Sequence, residues 1–315
     1  MPASAKIKPV LKLDFTDFGY INKNENHFTL LLQRDFTIEI NDRPDLLIFR
    51  EGSHLNRLYN CKKLFWTDES VSPDWSHADY GLTCHYIDSP RHLRLPHYPL
   101  WGTGARAENL LRDPNEDLDA LVARKTQFCS AVISNANTRR TPERIKFFQK
   151  LNARKPLASA GRFMNTIGGP LPMGTGPKHA FNQPFKFHLC YENKELPGYT
   201  TEKLADAMWA RCVPIYWGNP RVAEEFNPKS MLCRYDYPDD ETFIEKILEV
   251  DRDEAQYRAL LAQPYFHGNT PNAYYSEDRV LEFFHRIADD RTPPLSARRR
   301  FWHFGRWRLV KKAKG

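Results

Sequence analysis

Residues 187–220, FHLCYENKELPGYTTEKLADAMWARCVPIYWGNP, decide the fold. The apolar and β-favouring side chains around their start predict a buried strand over residues 186–191. Asn, Pro and Gly predict a turn over residues 193–198, after which either of two threonines can cap a helix. The second apolar run, residues 212–217, predicts another strand. Two such strands joined by a helix form a right-handed βαβ unit, so we expect a parallel α/β sheet.

The position of Lys203 suggests what this unit binds. Lys203 falls in the first turn of the predicted helix, where the helix dipole makes a cation unfavourable by about 0.3–1 kcal/mol. An anion bound by the Lys203 ammonium and the backbone N–H groups would make the position of the lysine favourable. Phosphate is the usual anion at such a site. Glu202 beside it can hold a sugar hydroxyl or stabilise positive charge on a sugar ring. Taken alone, such a pair is more often a solvated Glu–Lys pair at a helix start.

The whole string E-N-x(4)-G-Y-x-T-E-K, then a helix, then P-I-Y-W-G-x-P, closely resembles the donor-binding signature of the α-1,3/1,4-fucosyltransferases. The resemblance implies an α/β fold of the GT-B class, with two Rossmann-like domains facing across a cleft. It also implies GDP-β-L-fucose as the donor, inversion at the anomeric carbon and no required cofactor, a divalent metal being at most stimulatory. The matching residues are Glu192, Asn193, Gly198, Tyr199, Thr201, Glu202, Lys203, Pro214, Ile215, Tyr216, Trp217, Gly218 and Pro220.

The resemblance assigns two catalytic residues. The segment FWTDESVSPDW, residues 65–75, aligns with a family segment that carries the presumed general base, and its spacing implies Glu69. Glycosyl transfer to a hydroxyl needs such a base to accept the acceptor proton. Asp68 adds a second carboxylate next to it, and the alternative is a turn-forming Asp68 beside a solvated Glu69. Glu202 is implied to contact fucose and its developing charge.

The resemblance also implies a set of donor-binding residues. Asn135 ends a strand predicted over residues 128–134, and Asn165 belongs to an Asn-Thr-x-Gly motif shared with the family. Relatives can place an arginine immediately before that Asn, where this chain has Met164. Arg162 can substitute, because residues two apart in an extended segment point the same way. The complete predicted donor set is Asn135, Arg162, Asn165, Asn193, Tyr199, Glu202 and Lys203.

The composition of the chain, with a charge-dense stretch over 115–124 and a Pro-containing stretch over 291–294, predicts three regions. We expect an acceptor-side Rossmann-like domain over residues 1–122, a GDP-fucose-binding one over 123–290 and a basic, aromatic tail over 291–315. Residues 298–315 hold eight basic residues, no acidic residue and four large aromatics, whereas the whole chain has a net charge of +7. Such a tail favours binding to an anionic membrane surface. Non-specific nucleic-acid binding is the alternative, and no specific nucleic-acid partner is expected.

Other sequence features bear on location and on metal binding. No apolar run reaches the ~18 residues of a membrane span, and the N-terminus lacks the apolar core of a signal peptide. We therefore expect a bacterial, cytoplasmic enzyme, with peripheral attachment to the inner membrane face as an option. Asp251 and Asp253 have the D-x-D form of metal-dependent glycosyltransferases, but we interpret them as surface charges of a solvated helix. Hence we predict no metal site.

Together these features predict an inverting α-1,3/1,4-fucosyltransferase. It would move L-fucose from GDP-β-L-fucose to a GlcNAc or Glc hydroxyl of an oligosaccharide or a lipid-linked saccharide such as lipopolysaccharide. Two alternatives stay open. One is a GT-B transferase that uses another GDP-sugar, such as GDP-mannose. The other is a non-catalytic protein that binds membranes or nucleic acid through its basic tail.

Overall fold

The computed structural model describes residues 8–52, 54–99, 106–135 and 141–298. The strands are β1 (Val10–Thr16), β2 (Thr37–Ile40), β3 (Leu46–Phe49), β4 (Lys62–Trp66), β5 (Tyr80–Thr83), β6 (His92–Arg94), β7 (Gln127–Ala131), β8 (Ala158–Ser159), β9 (Phe185–Tyr191), β10 (Val213–Trp217) and β11 (Leu232–Cys233). The helices are α1 (His27–Leu32), α2 (Ala107–Leu110), α3 (Leu118–Arg124), α4 (Pro142–Arg154), α5 (Thr175–Asn182), α6 (Glu202–Trp209), α7 (Asp240–Arg252), α8 (Glu254–Leu261), α9 (Glu277–Asp289) and α10 (Leu295–Arg298).

The chain divides into two compact units. Unit 1 contains the described residues up to Leu95 and those from Ser276 onward, and unit 2 is Pro96–Tyr275. This division differs from the boundaries expected from the sequence, because residues 96–99 and 106–122 belong to unit 2 and α9 belongs to unit 1. The apolar face of α9 determines its place, since Phe284 lies against Phe28 of α1.

Unit 1 is built on a six-stranded parallel sheet in the order β2-β1-β3-β4-β5-β6. The strand β3 is buried along its whole length, as a strand covered on both faces must be. The sequence pattern does not predict β5 and β6, because they are short and carry Gly81, His92 and Arg94. All six strands run the same way, so their carboxyl ends lie at one edge of the sheet, where Glu69 follows β4.

Unit 2 is built on a five-stranded parallel sheet in the order β11-β10-β9-β7-β8. The predicted βαβ unit is confirmed: β9 pairs in parallel with β10, and the register sets Phe187 opposite Val213. Between them, α6 buries Leu204 and Met208 completely. The helical spacing of Ile145, Phe148 and Leu151 predicts a helix from Pro142, and α4 confirms it.

The strand β7 is shorter than the sequence predicts. It ends at Ala131, short of the expected Ser134, because the loop after β8 approaches the chain there. Phe163 donates its backbone N–H to Ile133 at 2.9 Å. At Gly161, a Cβ atom would lie only 1.9 Å from the Ile133 carbonyl oxygen. This close approach accounts for glycine at position 161 and for the early end of the ladder.

The interpretation of Asp251 as a solvated surface charge is wrong. Its side chain is only 7% exposed at the end of α7 and forms ion pairs with Lys186, at 3.1 Å, and with Lys155. Asp253 instead caps α8 by accepting the backbone N–H of Gln256 at 3.0 Å. The two carboxylates thus have separate structural partners. Over the described ranges, no group of three or more His, Cys, Asp or Glu side chains is arranged to hold a metal ion.

No helix in the described part of the chain is long and apolar enough to cross a bilayer.

Candidate functional site

Glu192 is the buried centre of the candidate site. It follows β9 directly, at the carboxyl edge of the unit 2 sheet where ligand sites commonly form, and it is 0% exposed. Its carboxylate accepts the backbone N–H and the hydroxyl of Thr201, both at 2.7 Å, and Lys203 Nζ at 3.1 Å. Thr201 occupies the N-cap position of α6, as predicted, but its hydroxyl donates to Glu192 instead of capping the helix. Glu192 therefore holds the helix start and the lysine together.

Lys203 is a fixed cation at the first turn of α6. Its Nζ also donates to Thr201 Oγ1 at 2.9 Å and lies 4.0 Å from Glu202 Oε1. Burial disfavours the charged ammonium and Arg144 opposes it as well, but Glu192 and Glu202 outweigh both and raise the pKa of Lys203. The ammonium therefore stays charged at neutral pH, in a position suited to an anionic ligand.

Arg144 is a second cation at this site, and it is absent from the donor-binding residues expected from the sequence. It lies in the first turn of α4, is only 4% exposed and donates from Nη1 to Asn193 Oδ1 at 2.6 Å. The sequence does contain a signal for it. Arg144 shares a helix face with Phe148 and Leu151, which are buried core residues, so an arginine stands on an apolar face. A buried arginine of this kind needs polar partners, and Asn193 is one of them.

A cavity of about 840 Å³ lies in unit 2 and presents several polar groups. Glu202 lines it, with Oε2 3.8 Å from His97 Nε2 and Oε1 3.9 Å from Lys178 Nζ. Burial by itself would raise the pKa of Glu202, but the nearby charges of Lys203, His97 and Lys178 outweigh that effect and lower the pKa to about 2. An ionised carboxylate therefore faces the cavity, and it can accept hydrogen bonds from ligand hydroxyl groups.

Arg162, proposed to replace an arginine at position 164, lines the same cavity. The segment is not extended as that proposal assumed, because Met164 has φ +53°. The Arg162 side chain is exposed, and Nη2 lies 3.5 Å from Met173 Sδ. Asn135 is exposed in the segment that follows β7. Of the predicted donor-binding set, Lys203 lies 4.0 Å from Glu202 Oε1 and donates to Glu192. Asn193, next to Glu192, accepts from Arg144.

Asn165 organises its own loop, and Tyr199 is buried in the core. The Asn165 amide nitrogen donates to the carbonyls of Gly161 and Gly169 at 2.9 and 2.8 Å. Its amide oxygen accepts the backbone N–H groups of Ile167 and Gly169 at 3.1 and 3.0 Å. This amide therefore shapes its own loop. Tyr199 is only 2% exposed, so its ring belongs to the core.

The two adjacent carboxylates of unit 1 have different surroundings. Asp68 forms an ion pair with Arg50, whose guanidinium lies over the Trp66 ring at 5.1 Å from the centroid. Glu69 is exposed, and its backbone N–H donates to Thr67 Oγ1 at 3.0 Å. Asp68 is thus held by a cation at the sheet edge, whereas the Glu69 side chain extends toward solvent.

Two family models match this chain. The model of the C-terminal part of the glycosyltransferase family 10 fucosyltransferases matches residues 122–267. The model of the N-terminal domain of the α-(1,3)-fucosyltransferase FucT matches residues 13–101. The first lies within unit 2, and the second falls mainly on the part of unit 1 before Leu95.

Relatives and solved structures agree with these matches. The α-(1,3)-fucosyltransferase FucT of Helicobacter pylori is 28% identical, over 86% of this chain and 63% of that protein. A bovine (Bos taurus) 3-galactosyl-N-acetylglucosaminide 4-α-L-fucosyltransferase FUT3 is 30% identical, over 46% of this chain and 39% of that protein. The chain thus spans less than two thirds of these relatives. A crystal structure of α1,3-fucosyltransferase with GDP-fucose aligns with a TM-score of 0.76 and 26% identity, over 93% of this chain and 94% of that one.

A crystal structure of α1,3-fucosyltransferase with GDP aligns similarly, with a TM-score of 0.74 and 27% identity, over 93% of this chain and 94% of that one. These alignments run through both units, so the predicted α/β fold of the GT-B class is confirmed. The predicted resemblance is confirmed as well, because separate family models match the N-terminal and C-terminal parts. The chain belongs to glycosyltransferase family 10, the fucosyltransferases.

Proposed function

We propose that this chain is an inverting α-1,3/1,4-fucosyltransferase that uses GDP-β-L-fucose. In the proposed reaction, Glu69 takes the proton of a GlcNAc or Glc hydroxyl, and the hydroxyl oxygen attacks the anomeric carbon of fucose. The bond between that carbon and the β-phosphate oxygen breaks, and its electron pair leaves with GDP. The product carries an α-linked fucose. Attack on one face and departure from the other account for inversion.

The observation that carries this proposal is a pair of fixed cations, Lys203 in the first turn of α6 and Arg144 in the first turn of α4. Lys203 is held by Glu192 at 3.1 Å, and Arg144 is held by Asn193 at 2.6 Å. The departing GDP gains negative charge as the glycosidic bond breaks. Preorganised cations are therefore worth more in the transition state than in the ground state. Crystal structures of related α1,3-fucosyltransferases with GDP-fucose and with GDP support a guanosine diphosphate ligand.

The surroundings of the carboxylates support their proposed roles. The spacing of residues 65–75 implies Glu69 as the base, and the adjacent Asp68 forms an ion pair with Arg50. The depressed pKa of Glu202 supports a carboxylate that stays ionised beside the sugar ring. In the proposed reaction, Glu202 accepts a fucose hydroxyl and stabilises positive charge that develops near the anomeric carbon. We propose no cofactor, since GDP itself leaves toward Lys203 and Arg144.

For the acceptor, we propose an oligosaccharide or a lipid-linked saccharide at the inner membrane face of a bacterial cell. The basis is the basic, aromatic composition of residues 298–315, of which 299–315 lie outside the described residues. Aromatic and cationic side chains together favour anionic lipid surfaces. Attachment there would bring a cytoplasmic enzyme close to membrane-bound acceptors.

Thermal unfolding with separate donors tests the proposed function. GDP-fucose, GDP-mannose, GDP and UDP-galactose are each added in excess to the full chain. A ligand at about 100 times its Kd should stabilise the protein by about 2.7 kcal/mol. We expect stabilisation by guanosine diphosphates, strongest with GDP-fucose, and its loss in Lys203→Ala and Arg144→Ala.

The control for these variants is Lys150→Ala, which removes an exposed cation from α4, the helix that carries Arg144. It should keep the full ligand response. Stronger stabilisation by GDP-mannose would move the donor assignment to another GDP-sugar. Absence of any response to guanosine diphosphates in the unmodified chain would contradict the proposal.

A further inference from the structure

Lys178 connects two helices beside the proposed donor site. It belongs to α5, which packs against α6, and it lines the cavity that Glu202 faces. Its Nζ lies 3.9 Å from Glu202 Oε1 and 3.6 Å from Asp206 Oδ2. Glu202 and Asp206 are four residues apart on α6, so they lie on the same helix face. One ammonium is thus shared between two carboxylates.

The two carboxylates that share Lys178 differ in their surroundings. Glu202 lines the cavity and also has His97 and Lys203 within 4.0 Å. Asp206 is 5% exposed, and its Oδ1 is buried and accepts no hydrogen bond within the described part of the chain. Among the described residues, the groups that interact electrostatically with Asp206 include Lys178, Glu202, Lys203, Cys190 and Tyr275.

Burial is the dominant influence on Asp206. It raises the pKa of Asp206 to about 7, although Lys178 pulls in the opposite direction. The pKa of Glu202 lies at about 2, so Glu202 stays ionised over the whole neutral range. Between pH 6 and 8, therefore, Asp206 changes charge and Glu202 does not.

We propose that Lys178 is a positioning residue of the donor site that acts through Glu202, and that Asp206 controls how much of the Lys178 charge Glu202 receives. This inference rests on the proposed function. When Asp206 is protonated, the Lys178 ammonium pairs with Glu202 alone and faces the cavity. When Asp206 is ionised, the Lys178 ammonium is shared between Glu202 and Asp206. One more negative charge then lies near an anionic donor.

Linkage gives the direction of the effect. A bound diphosphate is negatively charged, so it favours the protonated form of Asp206. Donor binding near pH 7 therefore takes up a fraction of a proton, and donor affinity falls as the pH rises from 6 to 8. GDP-fucose suits this measurement, because its diphosphate is a diester and does not itself titrate in that range.

The test is calorimetric titration of the full chain with GDP-fucose at pH 7, in two buffers of different protonation enthalpy. We expect proton uptake in the unmodified chain, and in Asp206→Asn a smaller proton uptake and a weaker dependence of affinity on pH. Lys178→Met should also weaken the pH dependence and lower kcat/KM by about 10- to 100-fold. Lys178→Arg should recover most of that loss, which separates a charge effect from a folding defect.

Asp251→Asn is the matched control. Asp251 is also a buried unit 2 carboxylate paired with lysines, but it lies at the end of α7 and makes its ion pairs with Lys155 and Lys186. It should leave proton uptake unchanged. Normal proton uptake in Asp206→Asn would overturn the inference and leave the proposed function intact. Failure of the unmodified chain to bind GDP-fucose would instead count against the proposed function.

Discussion

At the scale of single residues, Glu192 joins the fold to the proposed chemistry. A fully buried carboxylate is costly unless it is paired and hydrogen-bonded. Here two groups of Thr201 and the Lys203 ammonium surround it at 2.7 to 3.1 Å. The same contacts that make Glu192 tolerable in the interior therefore place a cation at the helix start. Asn193, the next residue, does the same for Arg144.

The Glu69 assignment predicts a separation of turnover from binding. Glu69→Gln should lower kcat by about 10²- to 10⁴-fold, because the acceptor proton loses its base. Donor-induced thermal stabilisation should persist, because donor binding is assigned to unit 2. The control is Asp68→Asn, which should cost less turnover, since Asp68 is paired with Arg50. Near-normal fucosyl transfer by Glu69→Gln would contradict the assignment of Glu69 as the base.

At the scale of secondary structure elements, the β9–α6–β10 unit depends on the turn after β10. Gly218 has φ +147°, and a Cβ atom there would lie 2.3 Å from Glu192 Cγ and 2.4 Å from Glu192 Cβ. The backbone at Glu192 is also tied to this turn, because Glu192 donates its N–H to the Trp217 carbonyl at 2.9 Å. The end of β10 thereby positions the carboxylate of Glu192, which directly follows the neighbouring strand β9.

Gly218→Ala should therefore damage both stability and binding. Overpacking typically costs about 1–3 kcal/mol, and the unfavourable φ adds to it. Displacement of Glu192 should also weaken GDP binding, because Glu192 holds Lys203. Chemical denaturation and ligand titration measure the two effects. Gly176→Ala in α5 is the control, since a Cβ atom there meets nothing within 4 Å, and it should be neutral or slightly stabilising. Equal behaviour of the two variants would contradict this account.

At the scale of the whole molecule, charge is distributed unevenly. The chain carries +7 overall, and residues 298–315 contain eight basic residues and no acidic one. The rest of the chain is therefore close to neutral. Each unit has its own parallel sheet, and the proposed diphosphate-binding groups belong to unit 2. The excess positive charge thus lies in a separate part of the sequence from Lys203 and Arg144.

This distribution predicts salt-sensitive membrane binding. The full chain should sediment with vesicles that contain phosphatidylglycerol and should be released as salt shortens the Debye length to about 3 Å at 1 M. Removal of residues 299–315 should abolish sedimentation while GDP-fucose binding persists, which shows that the shortened chain is folded. Neutral vesicles and DNA serve as comparisons. A full chain that stays in the supernatant at low salt would refute membrane attachment.

Much of the architecture could be predicted from the sequence, because the signals are local. Apolar runs predict β9 and β10, and the helical spacing of apolar residues predicts α4 and α6. The motif around Lys203 identifies the family and the end of the sheet where a ligand would bind. These features require only the order of side chains along one segment. Asn165 shows a limit of prediction from the sequence. The family motif does not reveal that the Asn165 amide forms its hydrogen bonds within its own loop.

The sequence by itself therefore determined β9 and β10, the helices α4 and α6, and the family motif at the start of α6. Only the tertiary structure decided which distant groups complete the site. Arg144 meets Asn193, Lys178 reaches Glu202 and Asp206, and α9 returns to unit 1 after the whole of unit 2. The physical reason is that periodicity shows which face of an element is buried, but not which other element covers it. That choice depends on packing between residues far apart in the chain.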